Sequence, residues 1–284
     1  CEPPRRLRKS HVRQQAFFDD ALMTMNAPGV LRYVAINPLD IQRKGLSASF
    51  ESQQGVRSAR PPGKDFGHPE VRRLYLDFVR YAVTKFRPAY FSPGIEINMY
   101  AAERPDDFAN LLSLMVEAHA VVRALDPAIV IAPSIQWEFF KRDWEDVAVR
   151  PHLDALVATM PQMADGLFFS TYPSIFGSLN DVTARDYAFD AYGLAVAGST
   201  PVLVAEAGTQ PVFQTALITT LVELEAQHDL RGVVWFLAQD MDRLNIPVPG
   251  LQNIGLFDDS RRNLRAHPGA GVWDGFFACP VARR

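Results

Sequence analysis

A chain of 284 residues with 48% hydrophobic content is long enough to bury one sizeable core. Its net charge of −3, from 29 basic against 32 acidic residues with no basic stripe interleaved with aromatics, argues against nucleic acid as a partner. The two cysteines, Cys1 and Cys279, lack metal-ligand spacing, which argues against a zinc site, and no apolar run reaches the ~18 residues of a membrane helix.

In chain order, residues 10–26 read as helical and stop at Asn26-Ala27-Pro28-Gly29. Leu31 to Ile36 reads as a strand closed by Asn37-Pro38, and the polar stretch from Lys44 to Gly67 as a long loop. Val71 to Phe86 carries a helical stripe through Leu74, Leu76, Phe78, Val79, Ala82, Val83 and Phe86. The stretch from Tyr90 to Tyr100 follows, a short buried strand that stops at Glu96 and Asn98. Asp106 to Leu125 is a second long helix, with His119 on its apolar face as a hydrogen-bonded packing residue.

Ala128 to Ala132 is the next strand, running out into Gln136-Trp137-Glu138, and a helix covers Pro151 to Met160. The strand of Gly166 to Ser170 leads to Thr171-Tyr172-Pro173, and Asp186 to Ala197 is expected to be helical. Val202 to Ala205 is a strand that ends at Glu206, Val212 to His228 a helix, Gly232 to Leu237 the last strand, and Arg261 to Phe277 a closing helix. Continuously apolar strands alternating with helices predict a parallel sheet covered on both faces, in one domain spanning residues 1–284. Six βα units are counted where a complete (β/α)8 TIM barrel has eight, so the expectation is an α/β chain forming an N-terminally truncated TIM barrel.

In a parallel barrel the carboxyl ends of the strands converge on one face, which carries the chemistry. The residues at those ends are Asn37, Glu96 with Asn98, Gln136-Trp137-Glu138, Tyr172, Glu206 and Trp235. Two strand-end glutamates across one mouth are what a glycosidase uses, so Glu96 and Glu206 are the candidate catalytic pair. Tyr172 is placed to donate its phenol to Glu206, and Trp235 to floor a sugar subsite. Asn37, Asn98, Trp137 and Glu138 complete the candidate substrate contacts. There is no Gly-rich phosphate loop and no HExxH pair, so neither a cofactor nor a metal is expected, and carbohydrate is the expected partner.

These residues resemble clan A of the glycoside hydrolases. Val204-Ala205-Glu206-Ala207-Gly208 is similar to that clan's nucleophile strand, Ser170-Thr171-Tyr172-Pro173 to its sixth strand, and Val233-Val234-Trp235-Phe236 to its eighth. Gly94-Ile95-Glu96-Ile97-Asn98 looks closest to the endo-β-1,4-galactanase-like branch, with Ile95 where that branch has asparagine. The resemblance implies a retaining glycosidase acting on a β-linked poly- or oligosaccharide, with Glu96 as acid/base, Glu206 as nucleophile and Asn98 as a substitute for the missing asparagine. It also implies that the first strand found here is the family's third. The alternative is a non-catalytic carbohydrate-binding barrel. Cys1 reads as a lipid-modified cysteine, an ordinary thiol or the point where the sequence begins, which leaves a secreted, periplasmic or lipid-anchored location open.

Overall fold

The structure is a computed structural model and describes residues 31–47, 64–176, 183–194, 200–236, 254, 256 and 266–278. The expected helix over residues 10–26, residues 48–63 of the long loop, and Cys1 with Cys279 lie outside the described residues. Seven short strands are described: β1 (Tyr33–Ala35), β2 (Tyr90–Ser92), β3 (Val130–Ile131), β4 (Ser134–Gln136), β5 (Leu167–Thr171), β6 (Pro201–Ala207) and β7 (Asp229–Trp235). Every pairing is parallel, in the orders β1-β2-β3 and β4-β5-β6-β7.

β3 and β4 are one strand in the sequence pattern, and Pro133 divides them because it has no N–H to give to a ladder. Backbone bonds bridge the division: Ser134 N donates to Gly94 O at 2.8 Å and Ile97 N to Ser134 O at 3.0 Å. The seven strands therefore make six successive positions of one arc, a partial (β/α) barrel, with no closed barrel among the described residues. All five residues of β5 are buried, as expected of a parallel strand covered on both faces.

The covering helices are α1 (Pro69–Phe86), α2 (Met99–Glu103), α3 (Pro105–Leu125), α4 (Trp137–Trp144), α5 (Arg150–Met163), α6 (Pro173–Phe176), α7 (Gln214–Glu225) and α8 (Pro268–Ala278). α1 begins where the His68 ring accepts from Glu70 N, with Pro69 at the first turn, and stops at Arg87 in a left-handed conformation before Pro88. Its buried stripe is Tyr75, Val79, Ala82, Val83 and Phe86, while Leu74 is turned outward. α3 is long and apolar enough in composition to cross a membrane, yet its apolar residues Phe108, Leu111, Met115, Ala118 and Val122 belong to the core.

Three expectations are corrected. Of the helix expected over 186–197, the described part forms two 3₁₀ turns, Ala184–Tyr187 and Phe189–Tyr192, ended by Gly193 at φ 71°, and residues 195–197 lie outside the described residues. The strand leading to Glu96 stops at Ser92, since Pro93 and Gly94 break it, and Glu96 lies in the turn beyond. The helix expected from Val212 starts at Gln214, after a 3₁₀ turn at Pro211–Phe213.

At the amino end of β5, Asp165 gathers three partners. Its Oδ2 accepts from Ile131 N at 2.9 Å and from Arg123 Nη2, and its Oδ1 meets His119 Nε2 at 3.1 Å. His119 is thus the hydrogen-bonded packing histidine that the helical pattern implied. Gly166 follows directly, and a Cβ there would collide with the Pro201 carbonyl.

Candidate active site

The site is built at the carboxyl ends of β1, β2, β4, β5 and β6. After β1, Asn37 Oδ1 accepts from Leu39 N at 3.2 Å and a tight hairpin opens, closed by a bridge between Leu39 and Leu46. Asp40 Oδ1 caps the turn by accepting from Gln42 N and Lys44 N. At its tip Arg43 sits at φ 58° and sends Nη2 to Glu96 Oε2 at 2.8 Å. Sequence reasoning missed Arg43; the signal available was the Asp40-to-Gly45 turn composition just after a strand end.

Glu96 is held by its backbone in a conformation rare outside glycine, φ 54°. The Ser134 hydroxyl accepts from Glu96 N at 3.0 Å, which fixes the turn against β4. Asn98 is fully buried and bonded in both directions to the Gln136 backbone: Nδ2 donates to Gln136 O at 3.0 Å and Oδ1 accepts from Gln136 N at 2.7 Å. It stands in for a missing rung of the ladder and locks the turn that presents Glu96.

Glu206 lies on β6 beside an irregularity in pairing. Phe169 is opposite Val204 but Ser170 is opposite Glu206, so one extra residue is accommodated on β6. Such bulges re-aim a side chain next to a site. The Tyr172 hydroxyl donates to Glu206 Oε2 at 2.7 Å. Burial, and then the negative charge of Glu96, push the Glu206 carboxyl up to about 7, while the Tyr172 bond and Arg43 draw it down. The charge of Glu96 therefore reaches Glu206 across the mouth. Tyr33, half-buried beside Ser92, and Tyr172 both have phenols raised first by desolvation and then by the charges of the two glutamates.

Glu138 sits beneath this pair with all its acceptors in use. Its Oε1 accepts from Thr171 Oγ1 at 2.6 Å, and its Oε2 from Gln136 Nε2 at 2.6 Å and Tyr172 N at 3.1 Å. Burial raises its carboxyl and these bonds oppose the rise. It supports Tyr172 from below, and Thr171 in turn meets the Tyr187 hydroxyl at 2.7 Å. Trp137 is buried among Phe140, Tyr187, Phe189 and Tyr192, with Nε1 on Asp186 O at 2.8 Å, so its faces meet protein rings. Trp235 lies at the end of β7 with Nε1 on Ile254 O at 2.8 Å and its ring against Trp273. Phe236, next in sequence, packs edge-on to Tyr172 and is 38% exposed. Among the described residues no group of His, Cys, Asp and Glu is arranged to hold a metal ion.

Comparison with solved structures matches this fold to barrels of known glycoside hydrolases. A glutamate-to-alanine variant of a GH5_18 protein from Bifidobacterium longum, in complex with Manβ1-4GlcNAc, superposes with a TM-score of 0.64 at 14% identity, over 93% of this chain and 66% of that one. The corresponding GH5_18 protein from Streptomyces cattleya, with the same disaccharide, gives 0.64 at 16% identity over 93% and 67%. The GH53 catalytic domain of Ignisphaera aggregans gives 0.58 at 17% identity over 90% and 76%. The fold is that of the (β/α)-barrel glycoside hydrolases. The barrel spans about two thirds of the length of the two GH5_18 proteins. No protein-family model matches the chain, and no curated protein sequence does.

Proposed function

We propose that the chain is a retaining glycoside hydrolase acting on a β-linked poly- or oligosaccharide, with Glu206 as nucleophile and Glu96 as acid/base. The observation that carries this is a pair of carboxyls, buried Glu96 beyond β2 and half-buried Glu206 on β6, with the charge of Glu96 raising Glu206 and the Tyr172 hydroxyl 2.7 Å from Glu206. Two carboxyls, one protonated and one ionised, are the minimum equipment for a two-step displacement. In the first step a Glu206 oxygen bonds to the anomeric carbon as the glycosidic C–O bond breaks, and Glu96 gives its proton to the departing oxygen. In the second, Glu96 takes a proton from water, whose oxygen displaces Glu206 from the sugar. No cofactor enters either step. The β-linked disaccharide in both GH5_18 complexes supports a β-glycoside as substrate. The galactanase-like motif at Gly94-Ile95-Glu96 puts β-1,4-galactan in the substrate panel beside β-mannosides.

The test is Glu206→Ala assayed on aryl β-glycosides with and without azide. Loss of turnover by a factor of roughly 10⁴ or more, recovered in part by azide with formation of a glycosyl azide, is the expected result for a deleted nucleophile. Unchanged turnover overturns the assignment. A second reading, a carbohydrate-binding barrel without catalysis, is favoured by Ile95 standing where the related motif has asparagine and by the engagement of Glu96 with Arg43. Saturable binding of a sugar by the wild-type protein with no turnover across the panel would select it.

A further inference from the structure

We propose that Arg43 is a positioning residue that decides which of the two glutamates is protonated, and that its contact with Glu96 must open before hydrolysis can begin. This rests on the reading of Glu96 as acid/base and Glu206 as nucleophile. The Arg43–Glu96 bond is 2.8 Å long and joins side chains only 12% and 10% exposed. A guanidinium at that distance and burial is matched to an ionised carboxylate on Glu96. The groups facing the pair come from each neighbouring element: Tyr33 on β1, Arg43 on the hairpin after it, Tyr172 after β5, and the glutamates themselves from beyond β2 and on β6. Among the described residues facing the pair, Arg43 is the cation, and its Nη2 bonds Glu96.

With the cation on Glu96, the proton resides on Glu206, whose carboxyl is pushed up to about 7 by burial and by the Glu96 charge. Hydrolysis needs the opposite distribution. One proton must leave a Glu206 oxygen for solvent water and one must arrive from water at a Glu96 oxygen, so the pair carries a single proton before and after. The ion pair opposes this exchange until the guanidinium moves. Two features suit Arg43 to such a movement. Its Nη1 is bonded to Asp40 O, within its own hairpin, at 3.2 Å, which keeps the head group at the mouth. Its Nε is buried with no partner among the described residues, so a sugar hydroxyl would offer a bond that the resting state lacks.

The experiment follows the glutamate carboxyl carbons by ¹³C NMR as the protein is acidified from pH 9, with resonances assigned from Glu96→Gln and Glu206→Gln. In the wild type the first proton taken up is expected on Glu206; a first proton on Glu96 overturns the proposal without recourse to any variant. In Arg43→Met, which keeps the aliphatic stem, the proton should shift toward Glu96. The pH profile of kcat/KM should then move alkaline by about one unit, the lower end of what removal of an adjacent opposite charge does. Arg43→Lys should return both toward wild type. A folded Arg43→Met protein with an unmoved proton and an unmoved profile overturns the proposal, since a merely structural arginine would lower the profile without displacing it. Should Arg43→Met fail to fold, the wild-type titration decides. If no glycoside is turned over, the hydrolase reading falls while the NMR titration still rules on Arg43.

Discussion

Among the described residues, the hydrogen bond that favours the ionised form of Glu206 against its burial comes from the Tyr172 hydroxyl. Removing it has a direction. In Tyr172→Phe the Glu206 carboxyl should rise above about 7, so the acid limb of kcat/KM should move to higher pH while the alkaline limb stays. A drop in kcat at the optimum of roughly 10-fold or more is expected, on the order of the 1.5–3 kcal/mol carried by a hydrogen bond to a charged group. An acid limb that stays in place in the variant would mean that Tyr172 acts by shape alone. At this scale the sequence is legible where a residue type and a strand end coincide: Tyr172 donates to Glu206 as their positions imply, and the charge of Glu96 reaches both. It is not legible where long-range geometry decides. Arg43 lies 53 positions from its partner, and Glu138 and Trp137 are engaged by protein groups brought in by later strands.

The elements divide the labour between the two ends of the arc. The carboxyl ends hold the candidate chemistry, and the amino end of β5 holds Asp165 with Ile131 N, His119 and Arg123. Asp165→Ala leaves a backbone N–H and two basic side chains without their acceptor, a cost of about 2–3 kcal/mol. The variant should melt several degrees lower, while kcat/KM at a temperature where it is folded stays within about twofold of wild type. A large loss of activity in the folded variant would show that the two ends are coupled. Most elements are readable from apolar runs and helical stripes because burial on both faces leaves parallel strands uniformly apolar. The misreadings have local causes. Pro133 and Pro93 interrupt what the apolar pattern presents as continuous strands, and the aromatic-rich 3₁₀ turns at residues 184–192 imitate the spacing of a helix.

For the whole molecule, burial of Glu206 sets a pH dependence of stability. Its carboxyl is raised from an ordinary 4.5 to about 7 in the folded state. Between those values the unfolded chain has released the proton that the native state keeps, so stability declines as pH climbs through this window and the full penalty stands above about 7. The shift corresponds to at most about 3 kcal/mol, and partial exposure of the side chain reduces that to about 2 kcal/mol. Glu206→Gln removes the penalty. That variant should therefore melt above wild type at pH 8 and close to it at pH 4.5, as scanning calorimetry at the two pH values would show. Equal melting at pH 8 would argue that water reaches the carboxyl freely. The parallel arc itself was foreseeable from alternation of strand and helix, whereas the bulge on β6 that re-aims Glu206 has no signature in the pattern.

The seam at Pro133 divides the wall into two hydrogen-bonded panels, and the two acids ride on different ones: Glu96 follows β2 in the first, Glu206 belongs to β6 in the second. The Glu96 turn is tied across this seam by Ser134 N on Gly94 O, Ile97 N on Ser134 O, Glu96 N on the Ser134 hydroxyl and the Asn98 side chain on the Gln136 backbone. The wall is thus stitched together where the acids sit, so a substitution that cuts one of these stitches, such as Asn98→Ala, should change the spacing between the carboxyls more than one within either panel.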